Sequence, residues 1–303
     1  MAHGGERRAV LAAGAANLGI AVAKFAGFAL TGAASLLAEA IHSVADTSNQ
    51  ALLLLGDRRA KKSPSDSHPF GYARERYFWA FVVSVVLFTA GGLFALFEGI
   101  DKLRHPHEPE SLGIAVAILV TALFFEGLSL RTAVREARNT KEPSSSWYEF
   151  IRRSKSAELP VVLLEDLGAL VGLVIALFGV VMSKVTGEPR FDALGSLGIG
   201  ILLVVIAMVL ASEMRSLLIG EAAGPADVHM VEAVINADPR VVRLLDVRTQ
   251  QLGPQELLVG VELELDPTLT GVGLTDALEE IENAVRAALP EARQIYLEPH
   301  TAG

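Results

Sequence analysis

The sequence predicts an α-helical membrane protein with six transmembrane helices, followed by a C-terminal α+β domain. Hydrophobic residues make up 51% of the 303 residues, and the mean hydropathy is +0.41, which is more apolar than an ordinary soluble protein. Several apolar stretches approach the roughly 20 residues that span a bilayer. The composition changes near Ala222, and the whole formal net charge of −9 lies beyond that point. We therefore expect a six-helix transmembrane domain over 1–221 and a cytoplasmic domain over 222–303.

Six apolar stretches define the predicted spans, and the basic residues around them define the orientation. The spans are 10–32, 35–56, 77–100, 111–130, 157–184 and 193–219. Most of the Lys and Arg residues near the spans lie in the loops after spans two and four, whereas the opposite side has only Lys102, Arg104, Lys184 and Arg190. The positive-inside rule then predicts cytoplasmic termini. We expect the first apolar stretch to be an uncleaved anchor.

The C-terminal residues follow the order helix, strand, strand, helix, strand. The predicted elements are a helix at 222–238, strands at 241–253 and 256–267, a helix at 274–290 and a strand at 293–299. Val259, Val261, Leu263 and Leu265 alternate with other residues and should share one face of the second strand. The order αββαβ predicts a ferredoxin-like sandwich. Its acidic charge argues against nucleic acid as a partner.

Two polar residues within the second predicted span point to chemistry. His42 and Asp46 are four residues apart, so they lie on one face of a helix. A charged side chain at membrane depth is costly and often marks an ion pathway. An imidazole and a carboxylate are both ligands for a divalent cation. The same pair is also compatible with an interhelical polar contact. Because the chain has no cysteine, any metal site must use His, Asp and Glu.

Several motifs resemble the cation diffusion facilitator family of metal/proton antiporters. They are SLLAEAIHSVAD at 35–46, PSDSHPFG at 64–71, FDALGSLGIG at 191–200, DVRTQ at 246–250 and YLEP at 296–299. The resemblance covers nearly the whole chain. It implies a transport site that joins two residues of span two with two of span five, and a homodimer in which the cytoplasmic tails pair. His42 and Asp46 match the span-two positions.

Span five departs from the family pattern. The family usually has His or Asp four residues before Asp, whereas this chain reads PVVLLEDLGAL at 160–170. Aligning the small residues that follow places Glu165 at the family's Asp position and Val161 at the usual His position. We rank Glu165 first as the span-five ligand, Asp166 second and Glu158 third. Because adjacent residues of a helix point about 100° apart, Glu165 and Asp166 are not expected to face the same ion.

The resemblance implies a divalent transition-metal exporter that exchanges its cargo for protons in an inner or plasma membrane. A histidine with two or three carboxylates suits Zn²⁺, and also Mn²⁺, Fe²⁺ or Co²⁺; the metal is cargo and no cofactor is expected. The chain has no Walker loop, G-x-G-x-x-G or nucleophile–base pattern, so we do not expect an enzyme. The alternative from another class is a non-transporting membrane protein whose tail binds a partner.

Other polar residues have weaker matches to the family. The interfacial loop would use Asp66 and His68, but Tyr72 stands where a second histidine is common. In the tail, His229 and His300 remain as metal-binding candidates. Lys24 lies within the first span, and we expect it either to pair with an acidic residue or to extend to the membrane interface.

Overall fold

The computed structural model describes residues 18–106, 112–141, 145–156 and 158–301. Residues 10–17 of the first predicted span, residue 111 of the fourth and residue 157 of the fifth lie outside this part. The chain divides into two compact units. The first unit contains the described residues of Met1–Arg58, Phe78–Arg152 and Ala157–Met214. The second contains the described residues of Arg59–Tyr77, Arg153–Ser156 and Arg215–Gly303.

Helices form nearly all of the first unit. They are α1 (Leu18–Thr31), α2 (Ala34–Ala60), α3 (Glu75–Val86), a π-helical segment (Leu87–Leu93), α4 (Phe94–Arg104), α5 (Leu112–Thr140), α6 (Trp147–Arg153), α7 (Glu158–Thr186) and α8 (Arg190–Ile219). The predicted third span therefore corresponds to α3, the π-helical segment and α4 in succession.

Among the described residues, four helical stretches are long and apolar enough to cross a membrane. They are Glu75–Arg104, Gly113–Arg138, Glu158–Thr186 and Arg190–Ile219, and they correspond to predicted spans three to six. The described part of α1 is a shorter apolar helix. Helix α2 has 27 residues, but it carries buried Glu39, His42, Asp46 and Asn49, which make it less apolar than the other four. The protein is therefore a multi-pass membrane protein, and the number six stays a prediction.

Buried polar contacts fix the start of α2. Gly32 has a φ of +64°, which glycine tolerates, and this allows the tight turn from α1. The Asp192 carboxylate of α8 accepts hydrogen bonds from the backbone N–H of Ala34 at 2.9 Å and from the Ser35 hydroxyl. Lys102 of α4 lies 3.2 Å from Asp192 and donates to the Gly32 carbonyl at 2.6 Å. These contacts join α1, α2, α4 and α8 and set the position of α2.

Small residues allow the membrane helices to pack closely. A Cβ on Gly92 would lie 2.7 Å from Val204, and one on Gly99 would lie 2.7 Å from Leu197. Both contacts join the α3–α4 stretch to α8. Because lipid tails are as apolar as the helices, close van der Waals contact of this kind is a main source of helix association in membranes.

The C-terminal part of the second unit has the predicted αββαβ order. It contains α9 (Pro225–Asn236), β1 (Val241–Gly253), β2 (Glu256–Leu265), α10 (Val272–Ala288) and β3 (Ala292–Thr301). The sheet order is β1-β2-β3. β1 and β2 are antiparallel, with Val247 opposite Val261, and β2 and β3 are parallel, with Val259 opposite Ile295. A parallel neighbour requires a crossover, which α10 supplies.

One face of this sheet forms the core of the domain. Val259, Val261, Leu263 and Leu265 of β2 are all buried, which confirms the predicted alternation. They pack with residues of the two helices: Val231, Ile235, Ile281 and Val285. Burial of a single such side chain contributes about 1.5–3 kcal/mol to stability.

Just before β1, Arg240 binds Asp238 at 2.6 Å, and this hydrogen bonding lowers the pKa of the Asp238 carboxyl.

Candidate functional site

A stripe of polar side chains runs along one face of α2. It consists of Glu39, His42, Ser43, Asp46, Asn49 and Gln50, which we call the α2 stripe. The spacing of three, four and seven residues places them on one helix face. All except Gln50 are buried. An atom with no hydrogen-bond partner in the described residues occurs on Glu39, His42, Asp46, Asn49 and Gln50. Such groups are costly, and a series of them is typical of a site that binds something else.

His42 and Asp46 lie at the centre of the α2 stripe. The Nδ1 atom of His42 lies 3.6 Å from Oδ1 of Asp46, which is too long for a hydrogen bond. Within the described residues, both imidazole nitrogens and Asp46 Oδ1 have no hydrogen-bond partner. The two residues are 1% and 9% exposed. The predicted pair is thus brought together, and it keeps its lone pairs available for a ligand.

The two acids of α7 have different surroundings. Glu165 is buried, and its Oε1 accepts a hydrogen bond from Asn49 Nδ2 at 2.6 Å. Glu165 therefore faces the α2 stripe. Asp166 is half-buried and accepts a hydrogen bond from the Ser129 hydroxyl of α5 at 2.9 Å. The expectation that these adjacent acids point in different directions is confirmed, because they bind side chains of two different helices.

The four predicted residues do not form one coordination shell in this structure. Among the described residues, no group of three His, Asp or Glu side chains is close enough to hold a metal ion. Asp46 nevertheless interacts electrostatically with Glu165, Glu126 and Asp166. The sequence indicates no more than an interhelical contact for Glu126, a buried residue of α5. The available signal for a role was a single acidic residue within an apolar stretch. Which groups lie near Glu126, however, depends on how α5 packs against the other helices.

Lys24 forms an ion pair inside the first unit, which is the first of the two alternatives that the sequence leaves open. Its ammonium lies 3.0 Å from Glu39 Oε2 and donates to the Ser43 hydroxyl at 2.8 Å. Both partners belong to the α2 stripe, and Lys24 and Glu39 are fully buried. Lys24 also interacts electrostatically with Asp46 and Glu126. The stripe therefore has a cation next to it.

The loop and tail candidates have ordinary local contacts. His68 stacks on Tyr72 with ring centroids 4.5 Å apart, and its Nδ1 lies 3.0 Å from the Ser67 hydroxyl. His229 pairs with Glu232 at 3.1 Å, and His300 lies 3.9 Å from Glu262. None of these histidines belongs to a metal-binding group of three within the residues that the structure describes.

The fold and the α2 stripe define a class of protein: a multi-pass helical membrane protein with buried acids and a histidine at its centre. The family models identify the family. The cation efflux transmembrane domain matches residues 10–219, and the cytoplasmic domain of cation efflux proteins matches residues 223–300. The chain belongs to the cation efflux family, which is the cation diffusion facilitator family indicated by the sequence motifs.

Individual relatives agree with this assignment. The proton-coupled zinc antiporter SLC30A9, mitochondrial, from Homo sapiens is 35% identical over 244 residues, which cover 80% of this chain and 43% of that protein. Metal tolerance protein C4 from Arabidopsis thaliana is 30% identical over 76% of this chain and 51% of its own length. Cation-efflux pump FieF from Klebsiella pneumoniae is 24% identical over 93% and 89%. The chain therefore spans about half or less of the first two relatives.

Proposed function

We propose that this protein exports a divalent transition-metal ion, with zinc as the first candidate, by exchanging it for protons. The observation that carries the proposal is the pair His42 and Asp46, buried in an apolar helix domain with lone pairs that have no partner among the described residues. The relatives support it, because one is named a proton-coupled zinc antiporter and another a cation-efflux pump.

We propose His42, Asp46 and Glu165 as the metal ligands. Glu165 already faces the α2 stripe through Asn49, so release of that hydrogen bond would let its carboxylate turn toward Asp46. Asp166, bound to Ser129 of α5, would serve as a further carboxylate beside the ions' path. A nitrogen and two carboxylates form a set that Zn²⁺ accepts in tetrahedral sites, with water completing the shell.

Proton exchange follows from the same groups. Carboxylates that lie close together in a low-dielectric interior repel one another, and either protons or a metal ion relieves the repulsion. A metal ion requires deprotonated ligands, so its binding releases protons. Asp46, Glu165, Asp166 and Glu126 interact electrostatically in this way. If metal and protons occupy these groups in turn, the exchange of one for the other needs no separate proton pathway and no ATP.

The proposal includes the finer architecture. Six helices would span an inner or plasma membrane with both termini in the cytoplasm, which follows from the distribution of Lys and Arg. Residues 1–221 would form the transport domain, and residues 222–303 a ferredoxin-like cytoplasmic domain, in agreement with the αββαβ order. The match to the family's cytoplasmic domain supports a homodimer. The partners are thus metal ion, protons, lipid and a second copy of the chain.

The oxygen-rich ligand set also suits Mn²⁺, Fe²⁺ or Co²⁺, so the test compares cargoes. The purified protein is reconstituted into liposomes that contain a metal indicator, and Zn²⁺, Mn²⁺, Fe²⁺, Co²⁺ and Mg²⁺ are supplied outside in turn. We expect Zn²⁺ to give the fastest flux and Mg²⁺ to give none, because Mg²⁺ keeps its water shell. If Mn²⁺ or Fe²⁺ gave the fastest flux, that ion would replace Zn²⁺ as the proposed cargo. Absence of flux with every ion would refute the transport proposal.

A further inference from the structure

The proposed ligand set does not use the ion pair between Lys24 and Glu39. The ammonium and Glu39 Oε2 are 3.0 Å apart, and both side chains are 0% exposed. Removing two charges from water costs several kcal/mol per ion, and apolar residues of similar volume often give equal stability. A buried pair of this kind is therefore weak support for a purely structural role.

Glu39 occupies a space that the surrounding helices leave for it. A Cβ on Gly172 of α7 would lie 2.6 Å from Glu39 Oε1, so a larger residue there would collide with the carboxylate. The same Oε1 atom accepts no hydrogen bond from the described residues. Glu39 is thus held through its other oxygen, by Lys24, between α1 and α7.

Lys24 is placed to act on the proposed transport site. Its ammonium donates to Ser43, the residue after His42, and it interacts electrostatically with His42, Asp46 and Glu126. The other fully buried lysine of the described residues, Lys102, binds Asp192 instead. Of the fully buried lysines in the described residues, Lys24 is therefore the one that contacts the α2 stripe.

We propose that Lys24 provides a fixed positive charge beside the transport site, which we call the counter-cation. As a positioning residue it repels the divalent ion, and so it lowers the affinity of the site for that ion and promotes the ion's release. Glu39 holds the ammonium at a fixed place beside the α2 stripe. The physical basis is like-charge repulsion in a low-dielectric interior. A transporter must bind its cargo and also let it go, and a fixed positive charge near the ligands favours release. The inference rests on the proposed metal transport at His42 and Asp46.

The test is a double-mutant cycle on zinc flux into liposomes, with KM and kcat measured separately. Lys24→Met removes the positive charge, and we expect KM to fall at least tenfold, which corresponds to about 1.4 kcal/mol. kcat should fall too, because release slows. Glu39→Gln leaves the ammonium without its counter-charge, and KM should rise about tenfold. The double variant restores charge balance, so its KM should lie within about threefold of the wild-type value.

Two further variants separate electrostatics from structure. Lys24→Arg keeps the charge and should keep KM near the wild-type value. Lys184→Met removes the charge of an exposed lysine at the end of α7 and serves as the matched control, with an unchanged KM. If Lys24→Met does not fold, the Glu39→Gln and double variants still decide the question.

The outcomes are distinct. Opposite shifts of KM in the two single variants, with compensation in the double variant, would support the counter-cation. An unchanged or higher KM in folded Lys24→Met would overturn it, and so would a double variant as weak as Glu39→Gln, which would make Glu39 itself a ligand. Absence of zinc flux in the wild-type protein would overturn the transport proposal, and this inference with it.

Discussion

Replacement of Glu165 should weaken metal binding much more than replacement of its neighbour Asp166. Glu165→Gln keeps the size of the side chain but removes its charge. That charge should matter, because the buried carboxylate of Glu165 faces the α2 stripe through its hydrogen bond with Asn49. Two unit charges about 4 Å apart at an effective dielectric constant of about 20 interact by about 4 kcal/mol. Desolvation offsets much of this gross attraction. We expect a net loss of at least about 1.4 kcal/mol, a tenfold weaker Kd.

Asp166→Asn is the matched comparison, because its carboxylate is half-buried and binds Ser129 of α5. We expect this variant to lose less affinity, though its proton release should slow. Calorimetric titration of zinc into both variants in detergent measures the difference. If Asp166→Asn loses binding and Glu165→Gln keeps it, the register of α7 is off by one, and Val162 rather than Val161 stands at the family's histidine position.

Four other perturbations test the site and its support. Asp46→Ala should abolish metal flux while the protein remains folded, because the variant lacks the best-matched carboxylate. His42→Asp should shift the metal preference toward harder ions, since oxygen replaces nitrogen. Asn49→Leu should release Glu165 from its 2.6 Å hydrogen bond and change the zinc Kd by several-fold, measured by calorimetry. Asp192→Asn should lower the unfolding temperature in detergent, because the buried charge of Lys102 would lose its counter-charge, at a cost of about 3–5 kcal/mol.

Each of these expectations has a contrary result. Near-normal flux in Asp46→Ala would show that Asp46 is not a metal ligand. An unchanged order of metal preference in His42→Asp would show the same for His42. An unaltered Kd in Asn49→Leu would mean that the contact with Glu165 plays no part in binding. For Asp192→Asn the control is Asp101→Asn, whose exposed carboxylate pairs with His105. Equal unfolding temperatures in the two variants would contradict the role of Asp192 at the start of α2.

Local periodicity explains what the sequence could predict. The four-residue spacing of His42 and Asp46 placed them on one face of α2, and the two-residue alternation in 259–265 identified the core face of β2. Both patterns depend only on the geometry of a single helix or strand. The αββαβ order followed from the same kind of signal.

Contacts between helices could not be predicted in this way. The hydrogen bond from Asn49 to Glu165 joins residues 116 positions apart, and nothing in either segment specifies the other. The same holds for Asp192 and its contacts with the start of α2. The sequence leaves open whether Lys24 pairs with an acid or extends to the membrane interface, and its pairing with Glu39 depends on how α1 packs against α2. The lower apolar content of α2 follows from the residues of the α2 stripe.

Metal is proposed to move against protons through the site of His42 and Asp46, and the movement of protons can be measured while zinc enters. Liposomes containing the protein and a trapped pH-sensitive dye receive external zinc with no initial pH gradient. We predict that the interior becomes more alkaline as zinc enters, and that Asp46→Ala shows neither change. Zinc entry without a change in internal pH, or the same change in the Asp46 variant, would contradict metal/proton exchange at this site.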